Sequence, residues 1–213
     1  AEVTKEFPVK LHSLSTQNQL DEYAEIAAES DRYRHLSSLL HQQMTNELVW
    51  PGIDSLETGI DVRTLGLEDK DLNVLPIIGR SDVMRELAVW DGGKALGDYN
   101  KDRITDASAI VVLTVDGNSE TDYFVGGKAL QHFWLVAEKH GLVIQPVSPI
   151  FLYAEMEEEI NTLMDGEYLD ETIALKECFN ELLNIKSGEY PVLVLRVTYA
   201  PKSDYRSMRR KDS

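Results

Sequence analysis

Residues 145–149 place an amide, a hydroxyl and two prolines side by side, and they close the unit GGKALQHFWLVAEKHGLVIQPVSPIFLY. Proline has no backbone N–H, so Gln145, Pro146, Val147 and Ser148 form a turn with few backbone donors. A helix, a short strand and then such a turn can set those donors against a flat cofactor. A second group with chemical potential lies in the basic tail YRSMRRK, where Arg206, Arg209 and Arg210 either hold an anion or end the chain in solvent.

Several other chemistries find no residues. There is no GxxxxGK[ST] phosphate loop and no GxGxxG fingerprint. The five histidines, His12, His35, His41, His132 and His140, form no HExxH pattern, and a lone cysteine supplies no zinc pair. Ser148 sits between Val147 and Pro149 rather than in a glycine-flanked nucleophile elbow. Carboxylate pairs abound, but on so acidic a chain they identify no glycosidase site. What remains is chemistry carried by a bound cofactor, with the protein supplying shape and hydrogen bonds.

The net charge of −16, from 21 basic and 37 acidic residues, argues against nucleic acid and against an anionic membrane surface, because neither can meet its phosphates without a basic face. The acidic block at 155–171 reads as a solvated helix face. No apolar run reaches the roughly 18 residues of a membrane span, and AEVTKEF lacks signal-peptide character, so a cytoplasmic protein is expected. With 213 residues the chain suits one domain, expected over 15–211 with residues 1–14 as an extension or linker.

The elements that must position the turn follow from spacing. Leu130, Phe133, Trp134 and Ala137 make an apolar stripe on a helix opened by Gly126 and Gly127 and stopped by Gly141, with Phe133 and Trp134 in the core. Residues 142–144 are a short buried strand. Thr16 and Gln19 form a capping box for a helix over about 17–29, and Leu36, Leu39, Leu40 and Met44 mark a second after the polar SDRYRH junction. Ser81 caps a helix over 82–90. Residues 109–115 and 191–199 are continuous apolar runs expected as buried strands, the second of them central. Leu175, Cys178, Phe179 and Leu182 share a helical stripe, which places Cys178 in the core. The alternation predicts an α+β sandwich, helices around a small mixed sheet.

The stretch ASAIVVLTVDGNSETDYFVGGKALQHFWLVAEKHGLVIQPVSPIF, with PVLVLRVTYAPKSDYRSMRR after it, resembles the C-terminal half of the flavin-dependent nitroreductase family. Its helix opens on G-x-A-x-Q (Gly127, Ala129, Gln131), ends on A-x-x-x-G-L (Ala137 to Leu142), and leads to a proline-containing loop. The upstream SDRYRHLSSLLHQQMTNELVWPGID is similar to nitroreductase-like domains fused to a ThiF-type fold. The resemblance covers roughly residues 15–211.

It implies a nitroreductase-like fold, a homodimer with FMN at its interface, NAD(P)H as electron donor, and a nitro or quinone-like small-molecule acceptor. It places Gln145, Pro146, Val147 and Ser148 against the flavin ring and Arg206, Arg209 and Arg210 on the FMN phosphate. The family's R-R-S-x-R opening and its P-S-x-x-N-x-Q-P-W stretch are missing, and no arginine precedes Arg32. That departure leaves two expectations side by side: an FMN-dependent oxidoreductase, or a non-catalytic module of the same fold serving dimerisation or flavin sequestration within a larger fusion protein.

Overall fold

A computed structural model of the chain describes residues 2–53, 58–154, 156–164 and 166–201. A helical turn, α1 (Val3–Glu6), precedes strand β1 (Val9–Leu14) and helices α2 (Gln17–Leu36) and α3 (Ser38–Glu47). A two-residue parallel bridge joins β2 (Leu48–Val49) to β3 (Ile60–Asp61). Short helices α4 (Asp69–Leu72), α5 (Leu75–Ile78) and α6 (Ser81–Val89) lead into α7 (Ala95–Thr105). Then come β4 (Ala109–Asp116), α8 (Glu120–Lys139), β5 (Val143–Pro146), α9 (Glu157–Leu163), α10 (Leu169–Leu183) and β6 (Glu189–Thr198).

The architecture is α+β. Four strands form one sheet in the order β1-β4-β6-β5, and every pairing in it is antiparallel, so the sheet is not the mixed one expected. The only parallel pairing among the described residues is the separate β2–β3 bridge. The apolar run at β6 does occupy a central position, between β4 and β5.

Helices cover both faces of the sheet. On one, Leu20, Tyr23 and Ala24 of α2 and Phe179 and Leu183 of α10 pack with Ile110, Val112 and Val194. On the other, Ala129 and Ala137 of α8 lie over Leu113, Val115, Leu195 and Val197. Phe151 and Phe179, both with no exposed surface, meet at 5.3 Å in a tilted ring pair. Burying each such ring contributes about 1.5–3 kcal/mol.

Local signals explain most element boundaries. Thr16 accepts from the Gln19 N–H while the Gln19 side chain answers the Thr16 N–H, so the capping box at the start of α2 is present. Gly141, at φ +74°, ends α8 as expected. Helix α2 nevertheless continues through the SDRYRH stretch to Leu36, because Ser30, Asp31, Arg32 and Tyr33 are buried and find partners there.

Four other expectations are corrected. Helix α8 starts six residues before Gly126, at Glu120, on a capping box made by Ser119 and Asp122, so Gly126 and Gly127 lie inside it. Gly126 serves packing: a Cβ there would stand 2.6 Å from Val192 Cγ2 on the sheet. Trp134 is 36% exposed, because the buried side of α8 is carried by Gly126, Ala129 and Ala137 with Phe133 against them. Cys178 is exposed on α10, whose buried side is Thr172, Phe179 and Leu183. The stretch 1–14 is no simple linker: its residues 9–14 pair with β4 along the whole of β1, and Val3 is buried.

Candidate functional site

The turn singled out by its composition is one wall of a cavity. It leaves edge strand β5 at Pro146, where a missing N–H costs no ladder hydrogen bond on the outer side. Val147 still donates to the Val194 carbonyl at 2.9 Å, and the Ser148 hydroxyl accepts from the Val194 N–H at 3.1 Å. The turn is thus stitched to β6 by one backbone and one side-chain bond.

Helix α2 braces it from the opposite side. Tyr23, Ala27, Ser30, Asp31 and Arg34 follow the helical spacing of a single face. The Tyr23 hydroxyl donates to the Val147 carbonyl at 2.7 Å, and Arg34 Nη2 donates to the Ser148 carbonyl at 3.0 Å. One residue beyond the turn, the Ile150 N–H donates to the Ser30 hydroxyl at 2.8 Å. The carbonyls of Val147 and Ser148 are therefore committed to α2, whereas the Ser148 N–H has no partner among the described residues.

The resulting cavity holds about 200 Å³. Gln145, Pro146, Val147, Ser148 and Pro149 line it from the turn, Ala27, Asp31 and Arg34 from α2, and Asn100 and Ile104 from α7. The structure thus brings together four of the seven site residues expected from the sequence. Arg206, Arg209 and Arg210 lie outside the described residues.

Its electrostatics are set by one buried carboxylate and by half-buried arginines. Asp31 is 9% exposed, accepts a hydrogen bond from Asn100 and lies 3.5 Å from Arg34. Burial raises its carboxyl above the usual range, against the opposing pull of Arg34 and Asn100. Arg34 also stacks over the Tyr153 ring at 5.6 Å. Behind Gln145, Arg196 Nη1 donates to its Oε1 at 2.9 Å while Arg196 Nε is buried with no partner. Burial lowers Arg196, with Asp106 pulling the other way. Arg103 is lowered as well, by burial and then by Arg196. In a chain of net charge −16, this corner gathers three guanidinium groups against Asp31 and Asp106.

Comparison with known proteins adds a relative but no function. No family model matches the chain. Over 201 residues, 94% of the chain, it is 41% identical to the uncharacterized protein MT1398 of Mycobacterium tuberculosis (strain CDC 1551 / Oshkosh). The chain spans 28% of the length of that relative.

Asp31, Arg34, Asn100 and Arg196 are the site residues that sequence reading passed over. For the first two a signal existed: their spacing from Tyr23 and Ala27 continues the stripe of α2 once the helix runs past residue 29. For Asn100 and Arg196 no local pattern points to the cavity. Among the described residues no cluster of His, Cys, Asp or Glu could hold a metal ion, and no helix is long and apolar enough to cross a membrane.

Proposed function

We propose that this chain is an FMN-dependent, NAD(P)H-type oxidoreductase domain of the nitroreductase kind, acting in the cytoplasm as a homodimer on a nitro or quinone-like acceptor. The observation that carries the reading is the braced turn at 145–149, whose Ser148 N–H is left over beside a cavity lined by the half-buried Arg34, with Arg196 behind Gln145.

The residues present fit a flavin edge. The Ser148 N–H and the Gln145 amide offer hydrogen bonds to a polar ring, Pro146 and Pro149 give it a wall without competing donors, and Arg34 and Arg196 bias the corner toward negative charge. Fixed donors and charges of this sort favour the reduced state because they are oriented before charge develops. Bound FMN would supply two-electron chemistry, taking hydride from the nicotinamide and passing electrons to the acceptor. By the resemblance, Arg206, Arg209 and Arg210 would hold its phosphate, a task suited to the planar guanidinium fork.

A cavity of about 200 Å³ falls below the roughly 300–1,000 Å³ usual for ligand pockets. In this reading one copy of the chain supplies one wall of the flavin site and a second copy supplies the other. A second reading is a module of the same fold that serves dimerisation or flavin sequestration without turnover.

The test is direct. The purified protein is expected to show a flavin absorbance band and to release FMN on denaturation, with NAD(P)H bleaching the band. A colourless protein that fails to bind added FMN overturns both flavin readings. Bound FMN that no nicotinamide reduces selects the sequestering module.

A further inference from the structure

We propose that an open groove beside α9 docks a basic amphipathic segment of a partner protein, a short helix with apolar anchors on one side and lysine or arginine around them. The groove holds about 750 Å³ and is bounded by α3, the 3-10 turn Ile150–Tyr153, α9 and the start of β6. It shares only Tyr153 with the cavity at 145–149.

Apolar surface stands open to solvent along it. Leu39, Leu152, Leu163 and Val192 line the groove half-buried, while Tyr153 and Met156 are each 61% exposed. Met156 is the N-cap residue of α9, and its N–H donates to Glu159 Oε2 at 3.1 Å, which fixes its backbone at the groove's edge. Single exposed apolar side chains mean little, but several gathered in one concavity with a polar rim mark a docking surface. Its openness suits the anchors of a helix, spaced i and i+4, better than a small ligand, which is enclosed when bound.

Charge complementarity decides the occupant. Glu158 and Glu159 line the groove, Glu157 precedes them in the first turn of α9, and all three are exposed. Among the described residues no lysine, arginine or histidine lines it. The rim is therefore of one sign, and a basic segment meets it while its apolar side covers Met156, Tyr153 and the leucines. A second copy is disfavoured, because it would set this acidic rim against another chain of net charge −16.

Methyl NMR on the full chain tests this with a synthetic amphipathic helix of leucine and lysine as the probe and the same peptide with glutamate for lysine as its counterpart. Saturable shifts are expected at the Leu39, Met156 and Val192 methyls, with those of Ile77 and Val89, exposed apolar side chains outside the groove, unmoved. The lysine peptide should bind at least tenfold more tightly than the glutamate peptide. The double variant Glu157→Gln, Glu158→Gln and the single variant Met156→Ser should each lose at least fivefold for the lysine peptide. No saturable shift, equal shifts at Ile77 and Val89, equal affinity for the two peptides, or undiminished binding by either variant would each overturn the proposal. Groove methyls that move with protein concentration alone would assign the groove to a second copy and overturn it too. None of these outcomes depends on whether the protein carries FMN.

Discussion

Gly97 of α7 lies so close to Ala28 of α2 that a Cβ built on it would stand 2.2 Å from the Ala28 carbonyl oxygen. That approach lets α7 bring Asn100 and Ile104 against the cavity face of α2. Gly97→Ala must separate the two backbones, since the clash is with main chain and not with a movable side chain. The expected cost is about 2–3 kcal/mol, read as a fall in the thermal midpoint of roughly 4–12 °C for a chain of this length.

Gly127 gives the opposite sign within the same protein. It lies inside α8 with open space where its Cβ would be. Alanine there removes the backbone entropy that glycine brings to a helix interior, so Gly127→Ala should stabilise by about 0.5–1 kcal/mol. A loss of stability in chemical denaturation would show that this helix face is covered in solution.

The brace between α2 and the 145–149 turn can be cut one bond at a time. Tyr23→Phe strands the Val147 carbonyl, and Ser30→Ala strands the buried Ile150 N–H. Each should cost about 1–3 kcal/mol. If the turn is a flavin wall, each should also weaken FMN retention. Amide exchange at Val147 and Ile150, whose N–H groups are both bonded, provides a readout without the cofactor: exchange should quicken locally in both variants, and unchanged exchange would mean that β6 alone holds the turn.

How much of this was legible beforehand differs by element. The turn could be read from composition, since prolines flanking a serine after a short apolar run leave the backbone little choice. The capping box of α2 and the central position of β6 were legible for the same reason, each being a local signal. The course of α2 beyond residue 29 was not, because Ser30, Asp31 and Arg32 look like a polar junction until tertiary partners bury them. Helix α8 misled in the other direction: Gly126 and Gly127 read as a start, yet Gly126 is glycine because Val192 and Val115 of the sheet press on it. Trp134 and Cys178 were assigned to the core by spacing alone, and spacing within one helix does not say which arc of it faces the sheet. Asn100 lines the cavity and Arg196 holds Gln145 from behind, and both reach this corner only through the folding of distant segments.

His35 makes stability depend on pH. Burial, with Arg34 and His41 nearby, lowers its pKa to about 4, well under the roughly 6.5 of an unfolded histidine. Between those values the unfolded chain binds a proton that the folded chain refuses, so stability rises with pH across that window. This contribution is complete above about 6.5 and is lost as pH falls toward 4. His35→Leu should therefore lose less thermal stability than the parent between pH 7 and pH 5. An identical loss in both proteins would assign the acid sensitivity elsewhere.

Glu189 titrates lower on the same side. Burial alone would raise its carboxyl, but hydrogen bonds from Thr114, His12 and Lys10 outweigh that and hold it below the ordinary carboxylate range. A depressed carboxyl stabilises the fold above its unfolded pKa, and the contribution disappears as pH falls through the folded value. Glu189→Gln keeps an oxygen for Thr114 but removes the charge facing His12 and Lys10. At pH 7 the variant should be less stable by about 1–3 kcal/mol, and the gap from the parent should close as the carboxylate of the parent protonates toward pH 3. Because β6 carries Glu189 at its start and β1 carries His12, that closing gap reports on the contact of these strands through β4. A gap that stays constant from pH 7 to pH 3 would mean that shape, and not charge, holds this end of the sheet together.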